Sequence, residues 1–392
     1  MTDFFAARWS FPTRVITGAG CAAQLPALAA EAGMKAPLIV TDRGLAANPM
    51  IAKIRADFAT AGLPAGLFSD VQGNPTDANL EAGVAAFRAG GHDGVVAVGG
   101  GSALDIGKCV AFMDRQTRPV WDFEDVGDWW TRANPDGIAP ILAVPTTAGT
   151  GSEVGRAGVV TNSATHRKKI IFHPKMMPFA AVEDPELAAG LPPHLTAGTG
   201  MDALAHCFEA YCVNAFHPIA DGIALEGMRL CKDYLPRACA NGGDLEARSY
   251  MFAAASMGAA AFQKGLGAIH SVSHPVGARY DAHHGMTNGV MFPYVMLWNR
   301  PAIEAKMDLV SRVLDLPARG FDAVFAWVLA FRKALGVPHA LADLGAKAAD
   351  APSIAADAAE DPTAAANPIR FTVSEFEALT LAAIRGDLSG PK

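Results

Sequence analysis

The sequence predicts two folded parts: an α/β part with a parallel sheet over residues 1–190, and an all-α part over residues 191–392. Three observations carry this. In the first half, short β-like runs such as PLIVTD and DGVVAVGG alternate with Ala-rich, helix-like stretches, the pattern of parallel strands flanked by helices. Near GLPPHLTAG, Pro192 and Pro193 break the chain. Beyond them helical periodicity takes over, as in DALAHCFEAYCV, ADGIALEGMRLCKDYL and ARSYMFAAASMGAAAF. Finally, 392 residues are long for one core, and 51% hydrophobic against 18% charged residues allows a large interior.

The same composition excludes several classes. A net charge of −7 argues against nucleic acid as a partner, because binding phosphates needs a positive footprint. The opening MTDFFAARWSFPTRVITGAG lacks a basic region followed by a long apolar run, so no signal peptide is expected. Apolar runs elsewhere are short or broken by Gly, Pro and charge, so no membrane span or membrane partner is expected. Six cysteines are scattered without a CxxC pair, which reads as reduced thiols in a cytoplasmic protein.

In chain order, Asp42 closes PLIVTD at the carboxyl end of an expected strand. An acid there can accept hydrogen bonds from a ribose diol and would repel a 2′-phosphate, which favours NAD over NADP; the plainer reading is a turn or cap aspartate. In VVAVGGGSALDIGKCVAF a strand runs into Gly99, Gly100 and Gly101, with Ser102 the expected N-cap of the next helix. Glycines let backbone approach a phosphate, and free amides at a helix start add partial positive charge. A Gly triplet alone is equally an ordinary tight turn. IAPILAVPTTAGTGSEVG strengthens the nucleotide reading, since Thr146, Thr147, Thr150 and Ser152 alternate with Gly149 and Gly151 after an apolar strand. Between the two lies RPVWDFEDVGDWWTRANPDG, which reads as a long surface excursion.

The helical half holds the sharpest constellation. In TAGTGMDALAHCFEA, Asp202 and His206 stand four residues apart, one turn apart on one helix face. His270 and His274 repeat the spacing in GLGAIHSVSHPVGARYDAHHGMTNG, and Pro275 is expected to disturb the helix so that the chain loops back to His284. A lone histidine on an apolar helix is usually a core residue. Here two helices each offer a pair of ligand types and an HG turn follows, so Asp202, His206, His270 and His284 are read as a metal site. Three imidazoles and one carboxylate suit Fe²⁺ or Zn²⁺. His283 reads as a solvated neighbour, and His274 either reaches the reacting centre or packs behind the ligands. The tail from Ala340 to Ala366 is Ala-rich, with helical pieces separated by Pro352 and Pro362.

With GGGSALDIGK, PTTAGTGSE, TGMDALAHCFEA and HSVSHPVGARYDAHHGMTN in order, the chain resembles the iron-containing (group III) alcohol dehydrogenase family over nearly its full length. The resemblance implies a dinucleotide-binding α/β domain and a helical metal-binding domain, the architecture shared with dehydroquinate synthase, with the site in the cleft between them. It implies metal ligands at Asp202, His206, His270 and His284, and a histidine near the nicotinamide at His274, the expected catalytic proton carrier. It places NAD contacts on Asp42, Asn74, Gly100, Gly101, Ser102, Asp105, Thr146, Thr147, Thr150, Ser152 and Lys169. It further implies self-association, with a homodimer the expected form. One departure matters: after TGSEV the chain continues GRAG, where the propanediol oxidoreductase branch has an Asn facing the substrate.

The expected activity is therefore metal-dependent, NAD-linked hydride transfer between a nicotinamide and a small primary alcohol or aldehyde. Arg156 and Lys264, if both face the cleft, favour a substrate with an acidic far end, such as a semialdehyde or ω-hydroxy acid; the plainer view makes both structural or surface charges. The alternative is a dehydroquinate synthase-like lyase that also uses NAD and a metal. That class would want several Lys and Arg near the metal, and only Lys264 and Arg279 are close in sequence.

Overall fold

Six short runs of the first half pair as parallel strands. They are β1 (Arg14–Thr17), β2 (Pro37–Val40), β3 (Gly66–Phe68), β4 (Gly94–Gly99), β5 (Ile141–Pro145) and, numbered after a hairpin, β8 (Ala180–Glu183). The inner ones, β2, β4, β5 and β8, are buried along their length, while edge strand β1 is largely exposed. In this computed structural model, residues 13–165 and 167–391 are described. The opening MTDFFAARWSFP, where no signal peptide is expected, lies outside them. Strand order is β1-β8-β5-β4-β2-β3, and every pairing is parallel.

Central β4 is buried along its whole length, as its unbroken GVVAVG requires. Its residues alternate between two cores: Val95 and Ala97 face one, Val96 and Val98 the other. Helices α1 (Leu25–Glu31) and α2 (Pro49–Thr60) cover the second core with Leu25, Leu28, Ile51, Ile54 and Phe58. Helices α3 (Asp77–Ala89) and α4 (Gly101–Met113) cover the first with Leu80, Phe87, Leu104 and Phe112. From β2 the chain pairs β3 on one side and then β4 on the other. That reversal puts a topological switch point at the carboxyl ends of β2 and β4, the usual place for a ligand in an open α/β sheet.

Two features of this unit are absent from the sequence reading. Strands β6 (Ala157–Asn162) and β7 (Arg167–Phe172) form a separate antiparallel hairpin. The aromatic excursion is ordered as three short 3-10 turns, Val120–Phe123, Trp129–Arg132 and Pro135–Gly137, with Phe123 buried and Trp130 edge-on to His173 at 5.8 Å. After β8 comes the single turn α5 (Pro185–Ala188), and this compact unit ends at Leu191.

From Pro192 a second compact unit begins, and it is helical. It contains α6 (Pro193–Cys212), α7 (Pro218–Ala240), α8 (Leu245–Ala261), α9 (Ala268–Tyr280), α10 (His284–Ile303), α11 (Lys306–Val313), α12 (Phe321–Ala334), α13 (Ala351–Glu360) and α14 (Val373–Arg385). Helix α6 is its axis, packed on α7, α8 and α10, and nearly every residue from Thr196 to Cys212 is buried. Small residues make that density feasible. A Cβ at Gly200 would stand 2.2 Å from the Leu235 side chain, and one at Gly285 would stand 2.1 Å from the carbonyl oxygen of Gly198.

The prolines behave differently from their sequence reading. Helix α9 runs through Pro275 to Tyr280 and stops at Asp281, which adopts left-handed φ of 51°. Proline's φ suits a helix and its ring removes only one ladder bond, so the left-handed residue is what ends it. Pro352 and Pro362 stand in the first turns of α13 and of the 3-10 turn Pro362–Ala366, so they start helical segments rather than separate them. Among the described residues no helix is long and apolar enough to cross a membrane.

Candidate functional site

At the switch point, the Gly-rich turn and the Thr-rich segment lie against each other. The amide of Thr146 donates to the Gly99 carbonyl at 2.9 Å, continuing the β4–β5 ladder past the strand ends. Gly99 has φ of 148°, and a Cβ there would stand 3.0 Å from Asp42 Oδ2. A Cβ at Gly101 would stand 2.6 Å from the Thr150 side chain, and one at Gly100 3.4 Å from Thr147 Oγ1. Asp42 thus flanks the turn with one oxygen, while its Oδ1 accepts from the Leu45 amide at 3.0 Å.

Ser102 is not the N-cap expected of it. Gly100 holds that position with no side-chain cap, and Ser102 lies inside the first turn of α4. Uncapped amides at a helix start favour an anion. Asp105 and Ser152 bond each other: Ser152 Oγ donates to Asp105 Oδ1 at 2.5 Å, and Asp105 Oδ2 accepts from the Val159 amide at 3.1 Å. Buried Lys108 completes the knot, donating to the Ser152 carbonyl at 2.9 Å. These bonds tie α4 to the loop after β5, which is a positioning task. Lys169 pairs with Glu124 at 2.8 Å, and Asn74 holds a left-handed φ of 49° just before Pro75.

Within the helical unit, Asp202 and His206 on α6, His270 on α9 and His284 at the start of α10 converge. Asp202 Oδ1 lies 3.7 Å from His206 Nε2, 3.6 Å from His270 Nε2 and 3.5 Å from His284 Nε2. Ligands on a tetrahedron with bonds of about 2.1 Å stand ~3.4 Å apart, so the spacing fits a divalent ion. Asp202, His206 and His270 are buried, whereas the His284 side chain is 24% exposed and marks the open side. Gly285 lets α10 close on α6 here, since a Cβ would also stand 3.1 Å from that of Asp202.

Charge agrees with geometry. Glu209, one turn beyond His206, accepts from His270 Nδ1–H at 2.5 Å. Among the described residues, the ion-pair partners of Asp202 and Glu209 are all imidazoles. With neutral histidines the buried set carries two negative charges, which a divalent cation balances. Burial works against the Asp202 carboxylate, but His206, His284 and His270 outweigh it and hold it well below the usual range. Burial likewise lowers His270, while Glu209 and Asp202 more than reverse this and raise it to about 9.

Three residues that sequence reasoning missed complete the site. Glu209 and Asn288 were accessible to the spacing rule, lying three residues after His206 and four after His284. Fully buried Asn288 donates from Nδ2 to Asp202 Oδ1 at 2.7 Å, and its Oδ1 has no hydrogen-bond partner among the described residues. Asp361 accepts from His274 Nδ1–H at 2.7 Å; nothing in the Ala-rich tail singled it out. His274 itself stacks on His284, ring centres 5.4 Å apart.

Neither candidate substrate cation is bare. Lys264 is buried, its Nζ 2.5 Å from Asp221 and 3.4 Å from the Tyr211 carbonyl. A neutralised internal ammonium leaves little charge for a substrate carboxylate, so we read Lys264 as structural. Arg156 lies over the Phe172 ring at 5.5 Å.

A parallel α/β unit joined to a helical unit whose buried aspartate and histidines could hold a metal ion is the combination seen in metal-dependent dehydrogenases, and comparison with known proteins gives the family. Residues 12–185 match the model for iron-containing alcohol dehydrogenases, and residues 196–384 match that for the family's C-terminal part. The chain belongs to the iron-containing alcohol dehydrogenase family and is an NAD-dependent alcohol dehydrogenase. It is 40% identical to 4-hydroxybutyrate dehydrogenase of Cupriavidus necator, covering 80% of this chain and 83% of that one. To NAD-dependent methanol dehydrogenase of Bacillus methanolicus it is 34% identical over 96% of this chain and 98% of the other. The crystal structure of a 1,3-propanediol oxidoreductase superposes with a TM-score of 0.91 at 33% identity, covering 96% of this chain and all of that one.

Proposed function

We propose that the enzyme interconverts a short primary alcohol and its aldehyde, with Asp202, His206, His270 and His284 holding Fe²⁺, and that its preferred substrates carry an acidic far end. The convergence of three Nε2 atoms on Asp202 Oδ1 carries the metal reading. The choice of iron follows the family, and Zn²⁺ suits the same donors. The acid-tailed substrate is supported by the likeness to a 4-hydroxybutyrate dehydrogenase and by Arg156, which among the described residues is in no buried ion pair although Asp125 feels its charge.

A divalent ion in this set supplies Lewis acidity that lowers the pKa of an alcohol hydroxyl, and NAD supplies the hydride acceptor. The protein's own share is positioning and proton handling. Gly99 to Gly101, Asp42, Thr147 and Thr150 would cradle the dinucleotide, with Asp42 selecting against a 2′-phosphate. His274, held by Asp361 through Nδ1, keeps Nε2 available to take the hydroxyl proton. A cytoplasmic homodimer is the working form we expect.

Anaerobic purification with metal analysis, followed by comparison of kcat/KM for 4-hydroxybutyrate and butan-1-ol, tests the proposal. Iron at one ion per chain and a clear preference for the acid are expected. Equal values would remove the acid-tailed substrate. Wild-type metal content in Asp202→Ala or His270→Ala would overturn the ligand assignment, and failure of any alcohol to produce net NADH would point to a cofactor-recycling lyase.

A further inference from the structure

We propose that Glu209 is a positioning residue of the metal centre, fixing which nitrogen of His270 faces the ion and anchoring the helix that carries it. The inference rests on the reading of Asp202, His206, His270 and His284 as metal ligands. Glu209 follows Asp202 by seven residues and His206 by three, so α6 presents all three on one face. Both of its oxygens are in use. Oε2 accepts from His270 Nδ1–H at 2.5 Å, and Oε1 accepts from the Ile269 amide at 2.7 Å.

Helix α9 starts at Gly267 with no capping side chain of its own. Its first-turn amides are met by remote groups: Glu209 takes Ile269, and Asn367 Oδ1 takes Ala268 at 3.0 Å. Gly267 makes the approach feasible, because a Cβ there would stand 2.6 Å from Asn367 Oδ1 and 3.0 Å from Glu209 Oε1. A carboxylate only accepts hydrogen bonds, so a proton must sit on His270 Nδ1. In the neutral ring the lone pair is then on Nε2, the nitrogen turned towards Asp202 Oδ1. A carboxylate behind a ligating imidazole also raises its basicity. Glutamine cannot substitute, since its single carbonyl oxygen can serve only one of the two donors unless shared.

The test is metal affinity. Metal-free wild type, Glu209→Gln and Asn367→Ala are titrated with Zn²⁺ and Co²⁺ against a chromophoric chelator, with Tm followed in parallel. Glu209→Gln is expected to bind roughly 10–100-fold more weakly. Asn367→Ala, which removes the other remote cap without touching the imidazole, is expected to lower Tm and keep near-wild-type affinity. Unchanged affinity in Glu209→Gln would overturn the proposal, as would an equal loss in Asn367→Ala, which would make helix anchoring the whole effect. Should Glu209→Gln fail to fold, ¹⁵N shifts of His270 in the zinc-loaded wild type decide: a protonated Nδ1 is expected, and a protonated Nε2 would overturn it. If the wild type binds neither ion, the ligand reading itself fails.

Discussion

His274 donates from Nδ1 to Asp361 Oδ2 at 2.7 Å, joining α9 to the segment after α13 across 87 residues of sequence. Asp361 Oδ1 meanwhile accepts from the Thr363 amide at 2.9 Å and from its hydroxyl at 2.5 Å. Burial opposes the charge on Asp361, but His274 and Thr363 prevail and hold the carboxyl below its ordinary 3.8. A depressed folded pKa contributes stability that is complete above about pH 4 and is lost as pH falls through the lower folded value. Asp361→Asn should therefore be less stable than wild type at pH 7, by roughly 1–3 kcal/mol, with the gap closing below pH 4. Urea midpoints across pH 3–7 check the sign; a gap that widens on acidification would refute it. The same variant should lower kcat by about tenfold with metal content unchanged, because His274 loses its fixed tautomer.

Much of this arrangement was readable from residue types at helical spacing. Asp202 with His206 and His270 with His274 declare themselves because i,i+4 neighbours share a helix face, and strand alternation with helices declares a parallel sheet. Partnership across sequence distance does not declare itself. Asp361 sits in an Ala-rich tail, and only tertiary packing turns it into the partner of His274. Lys264 shows the converse: a cation six residues before a ligand looked available until the fold placed Asp221 beside it. Pro275 misled because one missing ladder bond costs a well-packed helix less than the loss of its core contacts.

Gly285 is predicted to be irreplaceable for a reason distinct from turn geometry. It is helical, yet a Cβ there would enter the backbone of α6 at Gly198. Backbone cannot rotate aside, so Gly285→Ala must push α10 outward and carry His284 away from Asp202. A loss of roughly 1–3 kcal/mol is expected from overpacking, together with weaker metal retention. Thermal unfolding and metal analysis on one preparation check both; full metal content would show that His284 is dispensable.

The nucleotide turn should be separable from the metal site. Gly101→Val places branched carbons against Thr150, where even a Cβ would be 2.6 Å from the side chain, and crowds the uncapped start of α4. NADH affinity should fall by at least about tenfold, equivalent to ~1.4 kcal/mol, while metal content stays that of the wild type. Fluorescence titration of NADH reads the first and metal analysis the second. Unaltered NADH binding would place the pyrophosphate elsewhere.

The far end of α6 is closed by a side chain from another helix. Lys306 Nζ donates to the carbonyls of Tyr211, Cys212 and Val213 at 3.1, 2.9 and 3.2 Å, closing the helix C-terminus from α11. A cation suits that end of the helix dipole, and burial lowers the Lys306 pKa with nearby Lys264 adding to it. Lys306→Met keeps the apolar stem but leaves three carbonyls without this donor, so a cost of roughly 1–3 kcal/mol is expected. The two α6 ligands, Asp202 and His206, lie nine and five residues before Tyr211, inside the packed part of the helix, so metal affinity at 25 °C should be retained while Tm drops. Chemical unfolding of the metal-free protein isolates this contribution, and an unchanged midpoint would mean that water caps the helix as well as the ammonium does.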